Sequence, residues 1–318
     1  MNVDEIEAFL CVAELGNFSK ASLKLHRTQP AISRRIRLLE QSLQAVLFER
    51  TARAAKLTAA GRAFLPHAQA VRAALRDGAR AVRDADQRAQ RVPAVTLAIV
   101  GTLADSNIVA ALRKFEASVP RASVRLATGT SREVSELVRS GEVELGLRYF
   151  ADLDPLLACE QLGTERLYVV VPAKHKVRAR RLRDLRSLAA ESWLSFPKDP
   201  GQTVSYGHLL ERELLACTIT APKITAVDSL TAQKRLVEAG LGIALMPLSS
   251  CREELKAGSL RAIDVSNLRA ELPVVIVRRR DGYVSPASEA FLQLLRRHHG
   301  LDAKPLQRAR RVAKRKAR

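Results

Sequence analysis

Residues Phe18 to Leu43, FSKASLKLHRTQPAISRRIRLLEQSL, read as two short amphipathic helices joined by a tight polar turn, and this restricts the fold more than any other stretch. Ser19 is the expected N-cap of the first helix, with Phe18 and Leu23 placed as a hydrophobic staple. Thr28 is the expected cap of the second. Pro30 loses nothing just inside that helix, because first-turn N–H groups have no intrahelical partner. Ile32, Ile36, Leu39 and Leu43 recur at helical spacing and give the second helix one buried face. Gln29, Ser33, Arg34 and Arg37 remain on the other. Entering a major groove N-terminus first, such a helix would set Gln29 and Ser33 against base edges, and Arg34 and Arg37 against bases or phosphates. Ser19, Lys24, Thr28 and Pro30 complete the expected contact set, and double-stranded DNA is the expected partner.

An upstream helix carrying Ile6, Phe9, Leu10, Val12 and Ala13 ends near Gly16 and Asn17. Downstream, Val46 to Arg50 and Ala55 to Thr58 read as short strands separated by Thr51, Ala52, Arg53 and Ala54. Three helices and a hairpin make a winged helix-turn-helix, with Arg53 at the wing tip as a further DNA contact. From Ala59 to about Arg91 the chain is rich in Ala and Arg, and Phe64, Ala68, Val71, Leu75, Ala79 and Val82 recur every three or four residues. This is a coiled-coil seam on a long helix, which Pro66 either kinks or truly begins. One such helix has too little apolar surface to stand alone, so a homodimer is expected.

Beyond Pro93 strands and helices alternate. Strands are expected at Val95–Val100, Ser123–Ala127, Val143–Leu147, Leu167–Val171, near Ile224, near Ile243 and at Pro273–Val277. Helices are expected at Asn107–Ser118, Val134–Ser140, Ser205–Leu215, Leu230–Glu238 and Pro286–Arg297. That order predicts a parallel sheet flanked by helices. A chain of 318 residues exceeds what one small core organises, so several domains are expected.

The net charge of +20 is unevenly placed. Residues 17–62 hold ten Lys/Arg against Glu40 and Glu49, and residues 302–318 hold eight against Asp302. The middle of the chain is near balance, which suits a job other than holding polyanions. The N-terminus MNVDEIEAF lacks the layout of a secretory signal, and no apolar run reaches a membrane span of roughly 18 residues, so a cytoplasmic, nucleoid-associated protein with no membrane partner is expected. Cys11, Cys159, Cys217 and Cys251 are far apart and read as buried thiols of a reducing compartment rather than a redox sensor. No GxxxxGK[ST], HExxH or GxSxG occurs, and Gly240 and Gly242 suit close helix-to-strand packing better than a dinucleotide loop. No catalytic residue, metal ligand or cofactor is expected, and the chain does not read as an enzyme.

TQPAIS at residues 28–33, LFER at 47–50 and LTAAG at 57–61, with VDSLTAQKRLVEAGLGIALMP at 227–247, make the chain resemble the LysR-type transcriptional regulators over nearly its whole length. The resemblance implies a winged helix-turn-helix domain at 1–58, a linker and dimerisation helix at 59–91, and an effector-binding receptor domain at 92–300 built like a periplasmic solute-binding protein. Its subdomain I would span about 92–163 and 269–300, and subdomain II about 164–268, hinged near Leu162–Arg166 and Leu268–Leu272. It further implies a small-molecule effector in the cleft, a homotetramer made of two dimers, and RNA polymerase as a partner. Gln44 stands where the family usually has Gly after the recognition helix, Ser22 and Thr28 replace a common Ala and Ser, and Ala52 and Ala54 occupy wing positions that are often Gly or basic.

In the cleft so implied, Thr102, Thr130 and Ser131 fall at helix starts, where hydroxyl and N–H groups suit an anion or serve as ordinary caps. Ser195, Phe196 and Asp228 would face it from subdomain II, and Arg148 could pair with a carboxylate or lie on the surface. The effector reading is therefore an anionic or carboxylate metabolite. Residues 301–318 read as a disordered basic tail, and that tail supports the rival reading, a nucleoid-type protein coating DNA without sequence preference.

Overall fold

Asn2 opens the first helix by a reciprocal cap. Its Oδ1 accepts from Glu5 N at 3.0 Å, and the Glu5 carboxylate accepts from Asn2 N at 2.9 Å. The structure is a computed structural model, describing residues 1–50, 55–86, 92–104, 108–119, 121–198 and 204–298. They form two compact units, one of residues 1–91, 136–144 and 279–285, the other of 92–135, 145–278 and 286 onward.

In the first unit α1 (Val3–Leu15) ends at Gly16 in the left-handed conformation, φ 61°. Helix α2 (Phe18–Lys24) is capped by Asn17 rather than Ser19, because Asn17 is extended and its Oδ1 meets Lys20 N at 3.0 Å. The expected staple is absent as well, since Leu23 is 76% exposed while Phe18 packs edge-on to Phe48 at 5.8 Å. Thr28 does cap α3 (Gln29–Leu43), and Gln44 closes it at φ 51° without the glycine, with Ala45 N bonding to Glu40 O at 3.1 Å. Buried Ser22 satisfies its hydroxyl on Ser19 O at 2.8 Å. The wing strands β1 (Phe48–Arg50) and β2 (Ala55–Leu57) pair antiparallel, Phe48 opposite Leu57. They are shorter than expected because Leu47 N donates to Glu40 Oε1 at 2.8 Å and Thr58 Oγ1 donates to Val46 O at 2.7 Å. Residues 51–54, Arg53 included, lie outside the described residues.

Helix α4 (Ala59–Ala85) starts at a Thr58 cap, so Pro66 lies inside it and does not mark its start. The heptad-like seam divides. Phe64 and Ala68 complete the core of α1–α3 and the wing, with the Phe64 ring 5.1 Å from Phe9 and Phe9 5.4 Å from Phe48. Val71, Leu75 and Val82 stay exposed, at 38%, 48% and 71%. The rest of α4 is held by charge. Arg76 donates to Ser140 O at 3.1 Å, Arg80 to Gly141 O at 2.9 Å, and Asp77 receives both a forked Arg279 guanidinium at 2.5 and 2.7 Å and Tyr283 N at 3.0 Å.

The second unit is one mixed ten-stranded sheet with helices. Strand β3 (Ala94–Val100) lies parallel between β4 (Ser123–Gly129) and β5 (Leu145–Tyr149), with α5 (Ile108–Ser118) and α6 (Ser131–Arg139) in the crossovers. The 16-residue β6 (Leu157–Pro172) carries the chain into the other half. There β7 (Arg181–Leu182), β8 (Ser192–Ser195), α7 (Tyr206–Ala216), β9 (Lys223–Ala226), α8 (Leu230–Glu238), β10 (Ile243–Pro247), α9 (Arg252–Ala257) and β11 (Leu260–Val265) follow, before β12 (Glu271–Arg279) returns and α10 (Pro286–His298) packs Phe291 on Phe115 at 5.5 Å. The sheet is not purely parallel. Each half keeps parallel pairs, but β12 runs antiparallel to β5, and β10 and β11 antiparallel to β6. Residues 162–166 lie within β6, and residues 268–272 run into the start of β12, with Leu167 N bonding to Ala270 O at 3.2 Å. Gly242 packs as expected, since a Cβ there would lie 2.9 Å from Ser192 O.

Gly61 sets how closely α4 approaches the wing, because a Cβ there would lie 2.2 Å from Leu47 O. Gly61→Ala is expected to destabilise the first unit by about 1–3 kcal/mol in urea denaturation, whereas Gly78→Ala, with open space around it, should stabilise by up to about 1 kcal/mol. Equal midpoints for the two variants would contradict this packing.

Candidate nucleic-acid interface and ligand cleft

The face of α3 that carries Gln29, Ser33, Arg34 and Arg37 is polar, although Leu38 of the same helix is also exposed. Ile32, Ile36 and Leu39 are fully buried, and Gln29, Pro30, Arg34 and Arg37 are exposed with Ser33 half-buried between them. The Gln29 side chain is set by Ser19, whose hydroxyl donates to Gln29 Oε1 at 3.1 Å and leaves the amide NH2 to face outward. Charge on the helix is sorted by face. Arg35 pairs with Asp4 at 2.8 Å, whereas among the described residues Arg34 and Arg37 have no ion-pair partner. Lys24 is different from the expectation in one respect: it is shared with Glu14 at 2.9 Å, which Arg72 of α4 also meets at 2.9 Å. Burial pushes the Glu14 carboxyl up, yet the hydrogen bonds and charges of Lys24 and Arg72 together hold it below the usual carboxylate range, and Glu14 in turn raises Lys24. Lys20 on α2 and Arg27 between α2 and α3 are exposed and have no ion-pair partner among the described residues. Sequence reasoning passed over both, although their charge was visible there.

In the second unit the C-terminal ends of β3, β4, β8 and β9 open on one cleft of about 840 Å³. Thr102, Thr130, Ser131, Phe196 and Asp228 all line it. Ser195 does not; it is buried one layer behind, beside Leu209 and Gln233. Arg148 is absent from the lining too. Its guanidinium is buried against Ser135 Oγ at 2.6 Å and Asp152, so its charge is met inside the protein. The first turns of α6, α7 and α8 reach the lining, which adds the partial positive charge of three helix N-termini. The α6 terminus already holds a carboxylate, since Thr130 N donates to Glu133 Oε2 at 2.7 Å. Thr102 Oγ1 is buried beside the Tyr149 hydroxyl, which itself donates to Glu165.

Two aromatic residues of the lining escaped sequence reasoning, Tyr149 and Tyr206. Their rings meet edge-on at 5.8 Å, and Phe196 lies 4.9 Å from Tyr206. Burial, then the nearby Glu165, raises both phenols well above their ordinary value, so both stay neutral. Tyr149 donates to Glu165 Oε2 at 3.0 Å and Tyr206 to Leu245 O at 2.9 Å, which fixes the rings. A Cβ on Gly207 would lie 2.3 Å from Pro197 O, so only glycine lets α7 start this close to the cleft wall. No periodicity marks these residues, because they meet only through the sheet order.

The thiols differ from the expectation in burial: Cys11 and Cys251 are buried, but Cys159 and Cys217 only half so. Burial raises the Cys11, Cys217 and Cys251 thiols, the last to about 11, which opposes the thiolate a peroxide sensor needs. Among the described residues no group of three His, Cys, Asp or Glu side chains is placed to hold a metal ion, and no helix is long and apolar enough to cross a membrane.

Comparison with known proteins accounts for both halves. The family described as "Bacterial regulatory helix-turn-helix protein, lysR family" matches residues 3–62, and "LysR substrate binding domain" matches residues 88–300. The HTH-type transcriptional regulator TfdS of Cupriavidus pinatubonensis is 32% identical over 94% of this chain and 99% of its own length. GltR of Bacillus subtilis is 26% identical over 94% of this chain and 97% of its own. Among solved structures, CbnR, a LysR family transcriptional regulator, has a TM-score of 0.63 at 26% identity over 94% of this chain and 99% of that one. Full-length CbnR complexed with target DNA has a TM-score of 0.62 at 27% identity, covering 94% and 100%.

Proposed function

The chain belongs to the LysR family of bacterial transcriptional regulators, and from that premise we propose that it reads its operator with the outer face of α3 and answers to an anionic effector held in the cleft of the second unit. It is a DNA-binding regulator with an effector-binding domain and not an enzyme. The rival reading, a protein coating DNA without sequence preference, finds no support among relatives that are named transcriptional regulators.

The observation that carries the DNA reading is the pair of arginines, Arg34 and Arg37, without ion-pair partners among the described residues, beside an oriented Gln29 on a helix whose other face buries Ile32, Ile36 and Leu39. Gln29 and Ser33 then address base edges, and Arg34 and Arg37 a base or phosphates. Thr28 and Pro30 start the helix at the groove, and Ser19, Lys24 and Arg53 approach the backbone. The exposed Val71, Leu75 and Val82 support pairing of α4 with a second copy, giving a homodimer that two dimers extend to a tetramer. Domain limits of 1–58, 59–91 and 92–300, action in the cytoplasm at the nucleoid, and contact with RNA polymerase complete the reading. Gln29→Ala and Arg34→Ala are each expected to lose about 1–3 kcal/mol of discrimination between operator and scrambled DNA in gel-shift competition, with sedimentation unchanged. Unaltered discrimination in both variants would sink the assignment.

The N-termini of α7 and α8, the buried Thr102 hydroxyl beside Tyr149 and an aromatic floor support a carboxylate on a small, partly apolar body as effector. Thr102 would give that anion its hydrogen bond, with Thr130 and Ser131 beside it and Phe196 and Asp228 on the facing wall. Calorimetric titration of a carboxylate panel against the matched amides should find binders among the carboxylates only. Thr102→Val should weaken the best of them about tenfold or more while leaving the ligand-free melting temperature in place. A panel in which only cations or uncharged molecules bind would contradict the effector class.

A further inference from the structure

The near balance of charge in the receptor half conceals one segregated stretch. Residues 173–186, AKHKVRARRLRDLR, carry seven Lys/Arg against Asp184 alone. They run from the end of β6 through β7, which pairs with the outer edge of β11. Lys174, Lys176, Arg178, Arg180, Arg181, Arg183 and Arg186 are all exposed. Three of them are partly neutralised, Lys176 by Glu191 at 2.8 Å, Arg181 by Asp264 at 3.5 Å and Arg186 by Asp184 at 2.5 Å. Among the described residues Lys174, Arg178, Arg180 and Arg183 have no ion-pair partner.

The segment is built rather than merely solvated. The Arg261 guanidinium donates to His175 O at 3.3 Å, Val177 O at 2.6 Å and Arg178 O at 3.2 Å, drawing those carbonyls inward. Asp264 N bonds to Arg180 O and Ser266 N to Leu182 O, both at 2.9 Å. Val177, Leu182 and Leu185 anchor in the core of the sheet. The backbone is therefore fixed on its inner side, and the basic side chains are what it presents outward.

We propose that this edge is a second contact surface for duplex DNA, holding phosphates that flank the bases read by α3. It rests on the reading of the chain as an operator-binding protein. Five of the seven cations are Arg, whose planar fork matches phosphate oxygens. The stretch has no exposed aromatic residue to stack on bases, His175 being buried, which points to the backbone of a duplex and not to single strands. Its only exposed residue without charge or hydroxyl is Ala179, so it lacks the buried apolar anchor that protein partners use, and complementarity of charge alone remains. Such contacts carry no sequence information, but each phosphate neutralised steepens the salt dependence by about 0.9 in the log–log slope.

The test uses the full chain and the triple variant Arg178→Ala/Arg180→Ala/Arg183→Ala, none of whose targets has an ion-pair partner among the described residues. Fluorescence anisotropy across a salt series would compare a short duplex confined to the operator core with one extended by several helical turns on each side. The variant is expected to match wild type on the short duplex. On the long one it should bind about tenfold or more weakly, with the salt slope reduced by about two to three per bound chain. A triple Arg→Lys variant should keep most of the affinity. Equal affinity and slope for wild type and the alanine variant on the long duplex would overturn the proposal, as would equal losses on both duplexes. Intact DNA binding with lost transcription in a purified system would also overturn it, assigning the edge to a protein. Wild-type failure on the short duplex would instead strike the operator reading itself.

Discussion

The burial of the first turns of α4 against Phe9 and Phe48 is the constraint on which the rest of the first unit depends. Phe64 reaches that core only because Gly61 lets α4 pass close to Leu47 O and because Thr58 caps the helix at the end of the wing. The winged core therefore dictates where a 27-residue helix leaves it. Glu14 reinforces the joint by drawing Lys24 of α2 and Arg72 of α4 onto α1. Farther along, apolar packing gives way to Arg76, Asp77 and Arg80, which hold residues 136–144 and 279–285 through carbonyls and a forked ion pair. What α4 leaves uncovered is the stripe of Val71, Leu75 and Val82, and a second copy is the partner that would bury it.

The second unit is organised by two crossings. Strands β6 and β12 pass between the halves of the sheet, so the parallel strands on either side point their C-terminal ends at a common cleft. Helices that follow those strands begin there, and their first turns bring partial positive charge and N–H groups. Tyr149 and Tyr206 are locked by Glu165 and Leu245 O, leaving their faces as floor. The same arrangement explains why Arg148 serves structure: buried on β5, its guanidinium is held by Asp152 and Ser135.

Sequence patterns carried the local features and lost the long-range ones. The α3 face, the Thr28 cap and α8 at Leu230–Glu238 were all legible, because each depends on neighbours three or four residues away. Two competing local partners moved the α2 cap from Ser19 to Asn17, a choice decided by backbone conformation rather than residue type. Gln44 adopts a left-handed end that glycine would favour, because packing overrides a modest local cost. The antiparallel pairs of β6 and β12, the short strands β8 and β11, and the meeting of Tyr149 with Tyr206 depend on contacts across the sheet, where periodicity is silent. Ser195 and Arg148 were placed in the cleft by position along strands, and one residue of register or one buried partner was enough to remove them from its wall.

Pairing of two α3 helices through α4 is tested most directly by hydroxyl-radical footprinting of the full chain on the DNA beside its own gene. Two protected blocks of equal length, related by two-fold symmetry and centred a whole number of 10–10.5 bp turns apart, roughly the helical repeat, are the expected result. A single block, or protection spread evenly with no preferred sequence, would contradict it.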